Sequence, residues 1–451
     1  MRLLPLALIA LPAACLVLVP TQLQAQVPTG SAVSSAAERE DLAVTIYNDN
    51  LGLIKDIRKL GLKGGQVPLR FSDVAAQIDA TSVSFRSLSH PDAVDVLEQN
   101  YEYDLITPGK LLDKFVGREV TIELPAEENK PAERVQATLL STNEGQVFRI
   151  GNQIHLHPPG RVILPELPPD LVAKPSLVWS LDVKRPGSQR IEASYMTAGM
   201  SWQADYVLVS SQDNKKADMT GWVTLKNESG ATYPAARLTL VAGDVHRAGQ
   251  PEPIYDHRVR QMEAAPKAAS QFQEQALFEY HSYDLNRRTT LKNNQTKQLT
   301  LLSAANMGTR KVYVFDGVRG PRHGSQNDLR KVQVMLEFEN TQRNALGMPL
   351  PKGRVRVYQE DAQKKLQFIG EDRIDHTPKD EKILVEMGNA FDIVGERRQT
   401  NQKNLTDDLR EYSYEIKLRN HKDSAVTVDV LEHQWGEWTV TQKSHNFEKL
   451  S

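Results

Sequence analysis

The sequence predicts an all-β protein of several modules: a small N-terminal β-module, a small SH3-like or OB-like barrel, and a large Ig-like antiparallel β-sandwich. Three observations predict it. Between Ile191 and Asp244, apolar residues recur at every second position in three segments. These are Trp202, Ala204, Tyr206 and Leu208; Gly221, Val223 and Leu225; and Leu238, Leu240 and Ala242. Side chains alternate across a strand, so each segment reads as a half-buried strand. The joints, Ser211 to Lys216 and Asn227-Glu-Ser-Gly230, are short and rich in turn formers. Strands joined so tightly pair antiparallel, and a sheet with one apolar face needs a second layer. Finally, the pattern apolar-x-apolar-x-Asn closes strands at Val44–Asn48, Val223–Asn227, Leu336–Asn340 and Ile416–Asn420. Asparagine tolerates left-handed backbone and bonds to nearby backbone groups, which suits a strand exit and favours Ig-like sheets over a repeat array.

The chain opens with a secretory signal peptide, residues 1–25. Arg2 supplies the positive start, Leu3 to Val19 is almost wholly apolar, and Ala25 offers a small residue for cleavage before Gln26. Two other readings fit less well. A retained anchor is opposed by Pro12, Pro20 and the short apolar run, and lipidation at Cys15 by Pro12 and by an apolar run continuing past it. Cys15 is the only cysteine, so the mature chain holds no disulfide, thiolate nucleophile or Cys-bound metal. No second apolar run reaches membrane-spanning length, so no span is expected after cleavage. The expected location is periplasmic or secreted.

Residues 26–40 are small and polar and read as a flexible leader. Residues 41–103 carry short strands punctuated by Gly61 to Gly65 and form the N-terminal module. Residues 104–163 hold evenly spaced short strands and a helix at Leu111–Phe115, the texture of a small barrel. The proline-rich stretch 164–176 is a linker, and the sandwich occupies 177–451. Residues 247–275 lack a strand pattern and read as a mobile insertion, with helix expected from Ala268 to Ala276. The 451 residues suffice for this number of modules, and a formal net charge of −2 provides no strong field for nucleic acid or anionic lipid. No nucleic-acid partner is expected.

No P-loop, dinucleotide fingerprint, nucleophile elbow or His-Glu-x-x-His motif occurs, and no cofactor is called for. The densest chemical run is Gly370 to Glu381. There Glu371, Asp375 and His376, with Asp372, could perform acid–base chemistry or hold a cation. The competing reading is a solvated strand and turn with only Ile374 buried. His155 and His157 flank Leu156 on one strand face, a spacing that can ligate zinc, although no third ligand stands nearby. Glu279, His281 and Tyr283 share another face, read as core aromatics with a bonded histidine. Trp435 and Trp438 could stack on sugar rings or a partner, or lie buried at an edge. Arg354 and Arg356 face outward beside the turn Pro349 to Gly353 and could contact an anion, or simply be solvated.

Several segments carry a resemblance. Ser201-Trp-Gln-Ala-Asp-Tyr206, Asn227-Glu-Ser-Gly230, Leu240-Val-Ala-Gly-Asp244, Phe278-Glu-Tyr-His-Ser-Tyr283, Gly347-Met-Pro-Leu-Pro-Lys-Gly353, Gly370-Glu-Asp-Arg373 and Leu418-Arg-Asn-His-Lys422 together resemble secreted bacterial proteins known as domain of unknown function 4139. That family is distantly similar to proteins called mucoidy inhibitor A-like. The resemblance covers about Pro175 to the C-terminus, and more loosely the N-terminal module. It implies an all-β fold and a cell-envelope setting, and brings no established activity. Such proteins usually continue by another strand or two past the segment matching Trp438 to Phe447. The resemblance therefore implies either a missing edge strand or a longer chain. The function expected is binding or scaffolding of an envelope protein or glycan. The alternatives are a hydrolase centred on Glu371 to His376 and a carbohydrate-binding module using Trp435 and Trp438.

Overall fold

The structure, a computed structural model, describes residues 32–125, 132–158, 160–168, 171–243, 245, 271–317, 328–406, 408–434 and 436–449. The signal peptide, the start of the leader, most of the 247–275 insertion and Trp435 lie outside them. Strands dominate, with a single α-helix among the described residues. The chain divides into two compact units. One comprises the described residues of Met1–Glu38 with Leu60–Val74 and His90–Gln189. The other comprises Arg39–Lys59, Ala75–Ser89 and Arg190–Ser451.

The first unit holds two sheets. In one, the order is Ala32–Ser34, Gly65–Ser72, Ser176–Val183, Val94–Glu102. Its buried face is read off alternation: Val67, Leu69 and Phe71 on one strand, Leu177, Trp179 and Leu181 on its neighbour. Phe71 meets Trp179 edge-on at 5.6 Å, and the indole N–H donates to Gln99 Oε1 at 2.8 Å. The other sheet, ordered Gln153–His155, Val147–Ile150, Arg134–Ser141, Glu119–Glu123, Arg161–Ile163, is antiparallel throughout. It backs onto a core of Phe115, Val120, Ile122, Leu139 and Phe148. This sheet is open, where the sequence predicts a compact small barrel. Its two edge strands have three residues each and do not pair with one another. Pro158, lacking an N–H, stands in the stretch between them. The helix is Pro108–Lys114: proline occupies the first turn, and Thr107 Oγ1 accepts from Lys110 N at 3.2 Å.

The second unit holds most of two larger sheets; the ends of two of their strands, 60–62 and 187–189, belong to the first unit. The first runs Phe272–Leu277, Tyr280–Leu285, Tyr233–Ala242, Arg39–Tyr47, Gly52–Leu62, Gly187–Thr197, Ser84–Ser87. The second runs Leu366–Ile374, Gly353–Glu360, Met200–Ser210, Lys216–Asn227, Gln295–Asp316, Asp328–Glu339, Lys382–Asn404, Arg410–Asn420. The period-two faces are buried as the sequence predicts: Trp202, Ala204, Tyr206 and Leu208 together, with Val223, Leu225, Leu238 and Leu240. The pairing is mixed rather than purely antiparallel. Arg39–Tyr47 lies parallel to Tyr233–Ala242, and Met200–Ser210 parallel to Gly353–Glu360. Both contacts join segments far apart in sequence, which short turns cannot reveal. Where helix is expected up to Ala276, Phe272–Leu277 is instead a strand on Tyr280–Leu285, so ladder bonds override the helical preference of its Gln, Glu and Ala residues. The hairpin tip, Phe278, is exposed and has φ 56°.

All four pattern asparagines stand at strand exits. Asn340 Nδ2 donates to Met348 O and Pro378 O, each at 2.8 Å, and Asn420 Nδ2 to Ser424 O at 2.8 Å. Asn227 Nδ2 reaches Ala231 O at 2.9 Å and Lys292 O at 3.0 Å, while Ser229 Oγ donates to its Oδ1 at 2.8 Å. Asn48 Nδ2 donates to Trp202 O at 3.2 Å. None of the four has positive φ, so amide bonding rather than left-handed backbone selects asparagine here. Gly230 does need its freedom: φ is 87°, and a Cβ there would lie 2.4 Å from Ala76 Cβ. Asn227→Ala would strand buried carbonyls and a hydroxyl, so urea denaturation should show a loss of about 3 kcal/mol. A loss below about 1 kcal/mol would refute this role.

The buried face of Gly52–Leu62 is broken by Asp56 and Arg58, both almost fully buried. Asp56 accepts a two-pronged contact from Arg39, at 2.9 and 2.7 Å, and a further bond from Arg58 at 2.8 Å. Tyr195 and Tyr233 lie close to this cluster, and Tyr233 continues it to Ser229 Oγ at 3.0 Å.

Candidate functional site

Along Met200–Ser210 the even-numbered side chains enter the core, which leaves Ser201, Gln203 and Asp205 on the other face. Strand register then lines up rows across the sheet. Ser201, Lys226 and Thr296 form one, and Gln203, Thr224 and Gln298 the next. Asp205, Arg354 and Arg373 form a third, and Val207, Arg356 and Glu371 a fourth. Near the Asn48–Asp49 turn this face bounds a groove of about 680 Å³. Its lining includes Asn48, Asp49, Lys226, Thr296, Lys352, Arg354, Arg373 and Asp375.

Buried tyrosines position this lining. Tyr206 and Tyr283 donate their phenolic O–H to Pro351 O and Pro349 O, at 2.8 and 2.9 Å. Burial pushes both phenols far above their ordinary pKa, so they remain donors at any physiological pH. Asn340 clasps Met348 O in the same turn. The chain therefore leaves Pro351 on a fixed path into Lys352, Gly353 and Arg354. A Cβ at Gly353 would lie 2.3 Å from Ala204 O, so only glycine permits this close parallel approach. Trp202 completes the support, donating to Val241 O at 3.1 Å and meeting Tyr283 edge-on at 6.2 Å.

The charges on this face are unevenly matched. Glu371 accepts from Arg356 Nε at 2.9 Å and stands 3.6 Å from Arg354 Nε. Asp205, nearly buried, accepts from Thr224 Oγ1 at 2.7 Å and lies 3.9 Å from Arg356. Lys226 pairs with Glu228 at 2.8 Å. Arg373 stands directly opposite Arg354 across the strand pair. Among the described residues no carboxylate lies within ion-pair distance of the Arg373 guanidinium.

The run read as a catalytic candidate disperses. Glu371 is held by the two arginines, Asp372 Oδ2 accepts from Glu386 N at 2.7 Å, and Asp375 Oδ1 accepts from His376 N at 2.8 Å. His376 Nδ1 accepts from Lys352 N at 3.2 Å, which places the ring proton on Nε2 and braces the same turn. Of this run, Arg373, Ile374 and Asp375 reach the groove. Arg354 lines it, and Arg356 sits one row away. His155 ends its strand half-buried, and His157 lies beyond that strand, exposed. Among the described residues no group of three or more His, Cys, Asp or Glu side chains could hold a metal ion. His281 Nδ1 lies 3.1 Å from Glu274 Oε1. Trp438 is half-buried against Phe447, with Lys449 Nζ 4.6 Å from the centre of its ring. Trp435 is outside the described residues. Sequence reading missed Asp49, Lys226, Lys352 and Thr296. They become neighbours only through register, for which a single sequence carries no signal.

The architecture and groove define an all-β protein of several sheets, the larger ones of mixed pairing, with a groove in which charged and polar side chains stand among apolar ones. Residues 191–434, more than half of the chain, match the family model described as Domain of unknown function (DUF4139), and the chain belongs to this family. No curated protein matches it. No helix of the described residues is long and apolar enough to cross a membrane.

Proposed function

We propose that this protein is a binding or scaffolding module of the cell envelope, periplasmic or secreted, and that the groove beside Arg354 and Arg373 is its binding surface. One observation carries the reading. A turn clamped by two buried tyrosines and Asn340 delivers Lys352 and Arg354 into a groove on a rigid sheet, the pre-organisation that recognition requires. The carboxylates of the 371–376 run have structural partners, which favours binding over hydrolysis. The export signal read at residues 1–25 supports the location. A photo-crosslinking residue at Thr296, in the groove, is expected to capture a reproducible envelope component. The same residue at the exposed Lys63 should not. Equal or absent labelling at the two positions would refute the assignment.

A further inference from the structure

The groove sets two arginines against each other. Arg354 and Arg373 occupy directly opposed positions on antiparallel strands, where like charges repel and weaken the pair. Glu371 offers partial relief to Arg354 alone, at 3.6 Å, and it is already engaged by Arg356 at 2.9 Å. Lys352 lines the same wall. A fold gains nothing from such an arrangement, whereas an oxyanion seated between two guanidinium groups would turn the repulsion into charge-assisted hydrogen bonds. The rest of the lining narrows what carries the anion. Ser201 and Thr296 offer hydroxyl groups, Gln203 an amide, and Asp49 and Asp375 acceptors, while the Thr224 hydroxyl is taken by Asp205. Asn48 Oδ1, in the same lining, is a buried acceptor with no hydrogen-bond partner among the described residues. The indole of Trp202 is buried and already bonded, so it provides no apolar shelf. Such a surface matches a ligand dense in hydroxyl groups and bearing an anion.

The geometry points to an acidic saccharide as the ligand, with its carboxylate or phosphate held between Arg354 and Arg373 and its hydroxyls on the Ser201–Thr296 side. This rests on the groove being a binding surface, and it specifies the chemistry that the surface takes. Weak overall charge is no obstacle, since the recognition is local.

Titration calorimetry on the full chain tests it with four probes: trigalacturonate, a mannose phosphate, neutral maltotriose and triglutamate. At least one acidic sugar should bind saturably, at least tenfold tighter than maltotriose and triglutamate, and more weakly as salt rises. The two acidic probes distinguish carboxylate from phosphate. Arg373→Ala should weaken binding at least tenfold while leaving thermal stability unchanged or raised, because it removes a repulsion, and Arg373→Lys should recover part of the loss. Equal binding of triglutamate would overturn the saccharide in favour of an acidic peptide. Silence of both acidic sugars, with crosslinking at Thr296 intact, would overturn the ligand class and spare the groove. Silence together with lost crosslinking would remove both.

Discussion

Asp56→Ala is expected to cost about 3–5 kcal/mol and to lower the melting temperature by roughly 10 °C. Asp56 is almost fully buried, and its carboxylate meets Arg39 and Arg58, themselves 8% and 0% exposed. Removing it leaves two guanidinium groups confronting each other away from water. Desolvating a charge is tolerable only while its counter-charge remains. Asp56→Asn should fall between the two, because it keeps an acceptor and loses the charge. Replacing Arg39, Asp56 and Arg58 together by apolar residues of similar volume should recover most of the loss, since no charge is then left buried. Chemical denaturation of the four proteins checks this. A loss below about 1 kcal/mol for Asp56→Ala would show that water reaches the arginines.

Alkaline unfolding should be abrupt. Burial raises the pKa of four fully buried phenols, Tyr195, Tyr206, Tyr233 and Tyr283, and also that of the half-buried Tyr47. For Tyr233 it is pushed up to about 12, with the hydrogen bonds to Ser229 and Tyr195 pulling the other way. In the unfolded chain each would lose its proton near pH 10, by the ordinary value for tyrosine. A raised folded-state pKa means the stabilisation is complete below the unfolded value and is lost as pH climbs through the window up to the folded value. Each phenol then withdraws about 1.4 kcal/mol per pH unit, so four withdraw roughly 5 kcal/mol per unit. Against a total stability of about 5–15 kcal/mol, the fold should collapse within one to three units above pH 10. Tyrosinate absorbance and circular dichroism should change together in one step. Tyr206→Phe should reduce the steepness by about a quarter, though it gives up the bond to Pro351. Smooth titration of the tyrosines with no structural transition would refute this account.

These two groups also show what a single sequence conveys and what it conceals. The alternation through Trp202 to Leu208 and Val223 to Leu225 is local, so the strands and their buried faces are legible. The strand-exit asparagines are legible for the same reason, because each bonds to backbone of the turn it closes. Partners are another matter. Asp56 and Arg58 look like solvated charges in a strand, and only the approach of Arg39 from the neighbouring strand makes them a buried cluster. Arg354 is legible as an outward arginine beside a turn, but its opposition to Arg373 follows from register. Lys226 and Thr296 enter the same groove from two further strands. Glu371, Asp375 and His376 stand close in sequence, yet their side chains take different partners, so crowding of chemical residue types along the chain was a poor guide.

The parallel seat of Arg39–Tyr47 against Tyr233–Ala242 bears on how the molecule is made. Ala43 pairs with Arg237, about 190 residues further on, while Gly52–Leu62 occupies the other flank. As the polypeptide leaves the ribosome, its first hairpin waits with one ladder of amides and carbonyls open until the second half has been synthesised. Assembly from the amino end is therefore barred, and loop closure over that distance should make refolding slow. During that delay the bare ladder is the place where a chaperone, or a neighbouring nascent copy, would be captured.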